Sequence, residues 1–260
     1  RDAVDGSAVM VPLANTANRQ GRMVADVITG GDAADRPVLG TAIVGIFGLQ
    51  VATTGWNAKR LRAAGRPFRE IHTHPASHAG YYPGAAGLHL KLLVDPETDA
   101  ILGAQALGED GADKRIDVIA TAITGGITAS RLADLELAYA PAFGSAKDPV
   151  NMLGYIAGNL REGTVETVQW DEVAERVAAG DVLLDTRTPG EVAKGAIPGA
   201  LNIPVDDLRD RLDEVPEGRV VAYCAVGIRG YLAARILAQA GREVANLDGG
   251  YTTWRAATQA

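Results

Sequence analysis

The chain has 260 residues, 47% of them hydrophobic. That is too long for one ordinary core of about 100 to 150 residues and apolar enough to fold throughout, so two domains are expected. A formal net charge of −7 with no run of Lys and Arg excludes a broad nucleic-acid surface and points to small molecules or protein as partners. One cysteine excludes an internal disulfide or a C-x-x-C site. With no apolar stretch of about 18 residues and no signal-peptide pattern, the expectation is a cytoplasmic protein without a membrane span.

Residues 1–36 do not read as an independent unit. Val11-Pro12-Leu13-Ala14 leads into a helix expected through Asn18–Arg22 to Ile28, closed by Gly30-Gly31. A lone helix of that length is marginal in water, so it is expected to pack on something, much of it outside this chain. Strands are expected over 40–49, 88–94 and 101–107, the last after a Pro-Glu-Thr-Asp turn, and helices over 57–64 and 113–125. This is an α+β layout with an antiparallel sheet. Residues 139–149 read as a loop, followed by a short helix to about Asn159 and a linker at 160–164. Beyond it, apolar runs at 182–184, 200–203, 220–223 and 244–247 alternate with helical stretches at 171–179, 189–194, 206–212 and 231–239. Alternation of this kind predicts an α/β domain with a parallel sheet over 165–260.

The sharpest chemistry lies at Tyr223-Cys224-Ala225-Val226-Gly227-Ile228-Arg229-Gly230, between a strand and a helix. Loops at the carboxyl ends of parallel strands are where ligands bind in such folds. Glycines at 227 and 230 allow the backbone N–H groups of Ala225, Val226, Gly227, Ile228, Arg229 and Gly230 to turn inward as an anion cradle. The helix N-terminus and Arg229 add positive charge, which favours the thiolate of Cys224 and would hold a persulfide anion. A phosphatase loop is one residue longer between its Cys and its Arg than this one.

Together with Asp185-Thr186-Arg187, Glu191, the stretch from Gly195 to Pro204, and Leu247-Asp248-Gly249-Gly250-Tyr251-Thr252-Thr253-Trp254, this loop resembles the rhodanese family of sulfurtransferases over about residues 165–257. The resemblance implies that Cys224 is the catalytic nucleophile carrying sulfane sulfur as a persulfide. Asp185 and Arg187 read as a charge pair that holds the fold. Ala225 and Val226 are apolar where thiosulfate-specialised members carry charge, which argues against thiosulfate as the natural donor.

In the first half, Val11 to Arg22 resembles the flavin-contacting helix of pyridine nucleotide disulfide oxidoreductases, and residues 37–159 resemble their dimerisation domain. The segments His78 to Ala85, Gly111 to Val118, Tyr139-Ala140-Pro141 and Ser145 to Asn151 point to the coenzyme A disulfide reductase branch. The resemblance implies a remnant of an FAD-binding domain at 1–36, with flavin contact at Pro12, Leu13 and Ala14. It implies a homodimer through 37–159, with Tyr81, Tyr82 and Tyr139 reaching the partner's active site. The enzyme implied is an NAD(P)H-dependent reductase of coenzyme A disulfide, persulfide or polysulfide, with FAD as cofactor, fused to a rhodanese domain that takes small-molecule sulfur donors. Ala142, Phe143 and Gly144 stand where that family carries a second tyrosine and a serine. No G-x-G-x-x-G and no second cysteine is present, so this chain alone is expected to support sulfur transfer only. His72, His74 and His78 lie close together but lack an acidic or thiol companion, so no metal is expected. The alternative reading makes the rhodanese domain a non-catalytic docking or sensing module for coenzyme A species.

Overall fold

The computed structural model describes residues 1–32 and 36–259. Helix α1 (Ala14–Ile28) lies along the first domain with Thr16 as its buried residue. Strands β1 (Ala42–Ile46) and β2 (Leu49–Gly55) form a hairpin, where one continuous strand over 40–49 was expected. Phe47 (φ 50°) and Gly48 (φ 82°) are both left-handed and pair Ile46 with Leu49, the two-residue connection whose twist suits a hairpin. Glycine marks such a turn in a sequence, but phenylalanine hides it.

Helix α2 (Ala58–Ala63) is capped by Asn57, whose side chain accepts from the Arg60 N–H at 2.8 Å. Strands β3 (Arg69–Thr73), β4 (Leu88–Val94) and β5 (Ile101–Gly108) complete an antiparallel sheet in the order β1-β2-β5-β4-β3. Strand β3 was not foreseen, because Arg-Glu-Ile-His-Thr carries only one apolar residue. Helices α3 (Ala112–Thr124) and α4 (Pro149–Arg161) close the core around Leu90, Leu92, Ile116, Ile119 and Leu153. Asp148 caps α4 through a capping box and also receives Arg115 at 2.9 Å, a fully buried pair that ties the 139–149 loop to α3. Helix α4 runs through Arg161, two residues into the segment read as linker.

The second domain is a parallel sheet in the order β6-β10-β9-β7-β8, from β6 (Glu166–Val168), β7 (Val182–Asp185), β8 (Leu201–Asn202), β9 (Val220–Tyr223) and β10 (Val244–Leu247). Its helices are α5 (Val173–Ala178), α6 (Pro189–Val192), α7 (Ile228–Gln239) and α8 (Gly250–Thr258). The run at 206–212 expected as a helix is a 3-10 helix over Leu208–Glu214. Every residue of β9 is buried, as a central strand covered on both faces requires. Val221 and Tyr223 join a core with Leu247 and Tyr251, while Val220 and Ala222 join another with Ala233 and Leu237. No described helix is long and apolar enough to cross a membrane.

The two domains meet where β3 and its following residues touch α8, with His74 Nε2 hydrogen-bonded to the Thr253 hydroxyl at 2.7 Å and His74 Nδ1 to His89 Nδ1 at 2.6 Å. Burial first, then the neighbouring His89 and His72, push the His74 imidazole down to about 4. An unfolded imidazole titrates near ~6.5. Between these values the unfolded chain binds a proton that the folded chain refuses, so this contribution is whole above about pH 6.5 and is lost as pH falls toward 4. Over the whole range it amounts to about 3 kcal/mol. Urea midpoints measured at pH 7.5, 6 and 5 are expected to fall, and to fall less steeply in His74→Gln.

Candidate active site around Cys224

Cys224 follows the last residue of β9, the central strand, and is fully buried. Gly227 takes φ 107°, a conformation closed to ordinary side chains, and its N–H donates to Cys224 Sγ at 3.2 Å. Helix α7 begins at Ile228, three residues earlier than the sequence suggested, so Ile228, Arg229 and Gly230 form its first turn. Their N–H groups have no acceptor within the helix. Gly230 serves a different purpose from Gly227: a Cβ there would stand 2.3 Å from Asn246 Oδ1 and 3.1 Å from Tyr223 Cα. Glycine at 230 therefore lets α7 start against β9 and β10, which brings its positive end to the sulfur. Ala225 and Val226 are half-buried beside the thiol.

Arg229 is held in a bidentate pair, its Nη2 and Nη1 at 2.6 and 2.8 Å from the two oxygens of Glu191. Glu191 also accepts from the Thr188 N–H and hydroxyl, each at 3.0 Å, as the third member of a capping box at the start of α6. Hydrogen bonds from Arg229 first, then from Thr188, hold its carboxyl down to about 2. The cation assigned to the loop from sequence is thus shared with a carboxylate that was read only as a point of resemblance. The capping pattern Thr-Pro-Gly-Glu was its local signal. The Asp185–Arg187 pair lies at 2.5 Å, almost fully buried, with Arg187 donating to the Gly195 carbonyl and its guanidinium 4.3 Å from the Tyr251 ring centroid.

The other residues singled out from sequence lie on other elements. The Tyr81 and Tyr139 hydroxyls stand 3.3 Å apart at the surface, and their hydrogen bond raises the Tyr139 phenol above its usual value. Tyr82 turns away from them, its ring edge-on to His78 at 5.9 Å. Pro12 and Leu13 precede α1, which starts at Ala14; Leu13 supplies no side-chain cap, and the Thr16 N–H of the first turn donates to the Asn15 side chain at 2.6 Å. A cavity of about 1100 Å³ lies beside α1, lined by Asn15, Thr16, Arg19, Gly40, Asp117 and Thr121 among others. Among the described residues no group of three or more His, Cys, Asp and Glu is placed to hold a metal ion. His72 pairs instead with Asp248, and His78 lies against Tyr82.

The model of the pyridine nucleotide-disulphide oxidoreductase dimerisation domain matches residues 32–149, and that of the rhodanese-like domain residues 169–257. Coenzyme A disulfide reductase of Staphylococcus aureus is 38% identical over 148 residues, which is 56% of this chain and 33% of that protein. The crystal structure of reduced Bacillus anthracis CoADR-RHD superposes with a TM-score of 0.96 at 49% identity, over 98% of this chain and 46% of that one. A NAD-dependent persulfide reductase from A. fulgidus gives 0.86 at 38% identity, over 97% and 46%. The chain therefore spans a third to a half of the length of these relatives.

Arg229→Ala removes a cation beside the sulfur and leaves the Glu191 carboxylate uncompensated. Alkylation of Cys224 by iodoacetamide at pH 7 is expected to slow by roughly a factor of ten. Arg229→Lys recovers only part of the rate, since an ammonium cannot reproduce the fork. The single cysteine makes intact mass a direct readout.

Proposed function

With a pyridine nucleotide-disulphide oxidoreductase dimerisation domain joined to a rhodanese-like domain, we propose that the chain is part of a flavin-dependent NAD(P)H reductase of coenzyme A disulfide, coenzyme A persulfide or polysulfide, in which Cys224 carries sulfane sulfur. One observation carries the reading: Sγ sits at the carboxyl end of the central parallel strand, takes an N–H from Gly227 and faces the first turn of α7.

The Cys224 thiolate attacks the outer sulfur of a donor R–S–SH. The donor's S–S bond breaks, a new S–S bond forms to Cys224, and R–S⁻ leaves. The product Cys224–S–SH loses its proton to solvent, and the persulfide anion places its charge on the terminal sulfur, within reach of donors of the kind that Gly227, Ile228, Arg229 and Gly230 supply. Return of the thiol from this anion takes two electrons and three protons and releases hydrogen sulfide. Flavin, when bound, supplies the two-electron chemistry that links this reduction to NAD(P)H.

Pro12, Leu13 and Ala14 fit a flavin contact because they lead into the N-terminus of α1, where Leu13 supplies no side-chain cap and partial positive charge favours a reduced ring. On this reading residues 1–36 belong to an FAD-binding domain, residues 37–159 form the homodimer contact, and residues 165–260 form the rhodanese domain. Tyr81 and Tyr139 then act as one hydroxyl pair toward the thiol of a coenzyme A substrate in the partner's site. Tyr82, packed on His78, is the weaker candidate of the three tyrosines. The apolar Ala225 and Val226 favour coenzyme A persulfide over thiosulfate as donor.

The test is the intact mass of this chain after incubation with coenzyme A persulfide or with thiosulfate. Gain of one sulfur from the persulfide, removed by cyanide and absent in Cys224→Ser, is expected. No gain from either donor would overturn the carrier role and leave a docking module for coenzyme A species.

A further inference from the structure

Six consecutive residues, 248–253, join the two domains to the cysteine loop. Asp248 is 4% exposed, and its carboxylate accepts from the His72 backbone N–H at 3.0 and 3.1 Å, from His72 Nδ1 at 2.7 Å and from Gln169 Nε2 at 3.3 Å. Two left-handed glycines follow, Gly249 (φ 65°) and Gly250 (φ 60°). A Cβ on Gly249 would lie 2.9 Å from His72 Cβ, and one on Gly250 would lie 2.5 Å from the Cys224 carbonyl oxygen. The next two N–H groups, of Tyr251 and Thr252, donate to the carbonyls of Cys224 and Ala225 at 2.8 and 2.9 Å. The Thr253 hydroxyl then meets His74 Nε2 at 2.7 Å. Strand β3 and the residue after it thus hold both ends of a segment whose middle holds the backbone of Cys224.

We infer that His72 and His74 of the first domain are positioning residues for Cys224, acting through Asp248 and Thr253 on the 249–252 turn. The inference rests on the reading of Cys224 as the sulfur carrier. A buried carboxylate keeps its geometry only while its donors are present, and His72 supplies two of the three groups bonded to Asp248. The turn has little slack to absorb a shift of Asp248, because beside Gly249 and Gly250 there is no room even for a Cβ against His72 and Cys224. A shift there moves the two N–H groups that hold the Cys224 and Ala225 carbonyls. Those N–H groups belong to the first turn of α8 and have no acceptor within the helix. Sulfur loading on the second domain is in this way set by contact with the first.

The experiment compares sulfur loading from coenzyme A persulfide, followed by intact mass, in the full chain and in His72→Leu, His72→Asn and Thr253→Val. Asparagine places its amide nitrogen close to where Nδ1 stands and leucine offers no donor. His72→Leu is expected to load about tenfold more slowly, the scale of a sub-ångström misplacement, while His72→Asn stays within about twofold of the wild type. Thr253→Val keeps the side-chain shape, loses the bond to His74 and is also expected to load slowly; it carries the test should His72→Leu unfold. Wild-type rates in His72→Leu and Thr253→Val, or a His72→Asn as slow as His72→Leu, would overturn the inference. Hydrogen exchange at the Tyr251 and Thr252 amides separates it from the carrier role. Faster exchange in His72→Leu with no sulfur gained by the wild type keeps the positioning and rejects the carrier, whereas normal wild-type loading with unchanged exchange in the variant does the reverse.

Discussion

Two helix N-termini meet at Cys224, one on its sulfur and one on its carbonyl, and the rest of the site depends on that meeting. Helix α7 presents its first turn to the sulfur, with Gly227 donating to Sγ. Helix α8 spends its first N–H groups on the carbonyls of Cys224 and Ala225. Buried backbone groups must find partners, and here the acceptors of one loop and the donors of one helix satisfy each other. Both contacts require glycine for steric reasons. Gly230 admits α7 against β9 and β10, and Gly250 admits α8 against Cys224. A parallel sheet with β9 at its centre makes this convergence available, because the strands deliver their loops and helix starts to one edge.

The electrostatics of the loop are balanced rather than simply positive. Arg229 brings a full charge to within reach of the thiol, but Glu191 holds it in a bidentate pair and is itself anchored at the start of α6. The carboxylate keeps the guanidinium in one place and opposes its field. What remains unopposed are the dipoles of α7, whose direction is fixed by the backbone. On the proposed carrier role, a persulfide anion in the loop would meet N–H groups that need no reorganisation.

How much of this was legible in the sequence varied with the kind of signal. Cys224, its flanking glycines and Arg229 stand within seven residues, so one loop between a strand and a helix could be read directly. The antiparallel and parallel sheets followed from the spacing of apolar runs, since burial sets that spacing. Strand β3 escaped because its neighbours in space, not its composition, make it a strand: Ile71 is buried between β4 and the helices while His72 faces the other domain. Helix α8 escaped because Gly-Gly at its start reads as a turn, and both glycines do take positive φ; the turn is simply followed at once by a helix. The role of Glu191 spans 38 residues to Arg229, and the His72–Asp248 contact spans 176. Pairings at that separation leave no local trace in a chain.

Burial of Cys224 and the grip on its carbonyls belong together. A fully buried thiol reacts only when the loop around it opens locally, and the cost of opening is set by the contacts that the loop must give up. Those contacts are few and identifiable: the Gly227 N–H on the sulfur, and the Tyr251 and Thr252 N–H groups on the carbonyls. The first belongs wholly to the second domain. The other two hang from a turn that ends at one side on Asp248 and His72 and at the other on Thr253 and His74. On the proposed carrier role, anything that shifts β3 relative to α8 would change the cost of exposing the thiol before it changed the chemistry at the sulfur, and the domain boundary would be part of the reactive site.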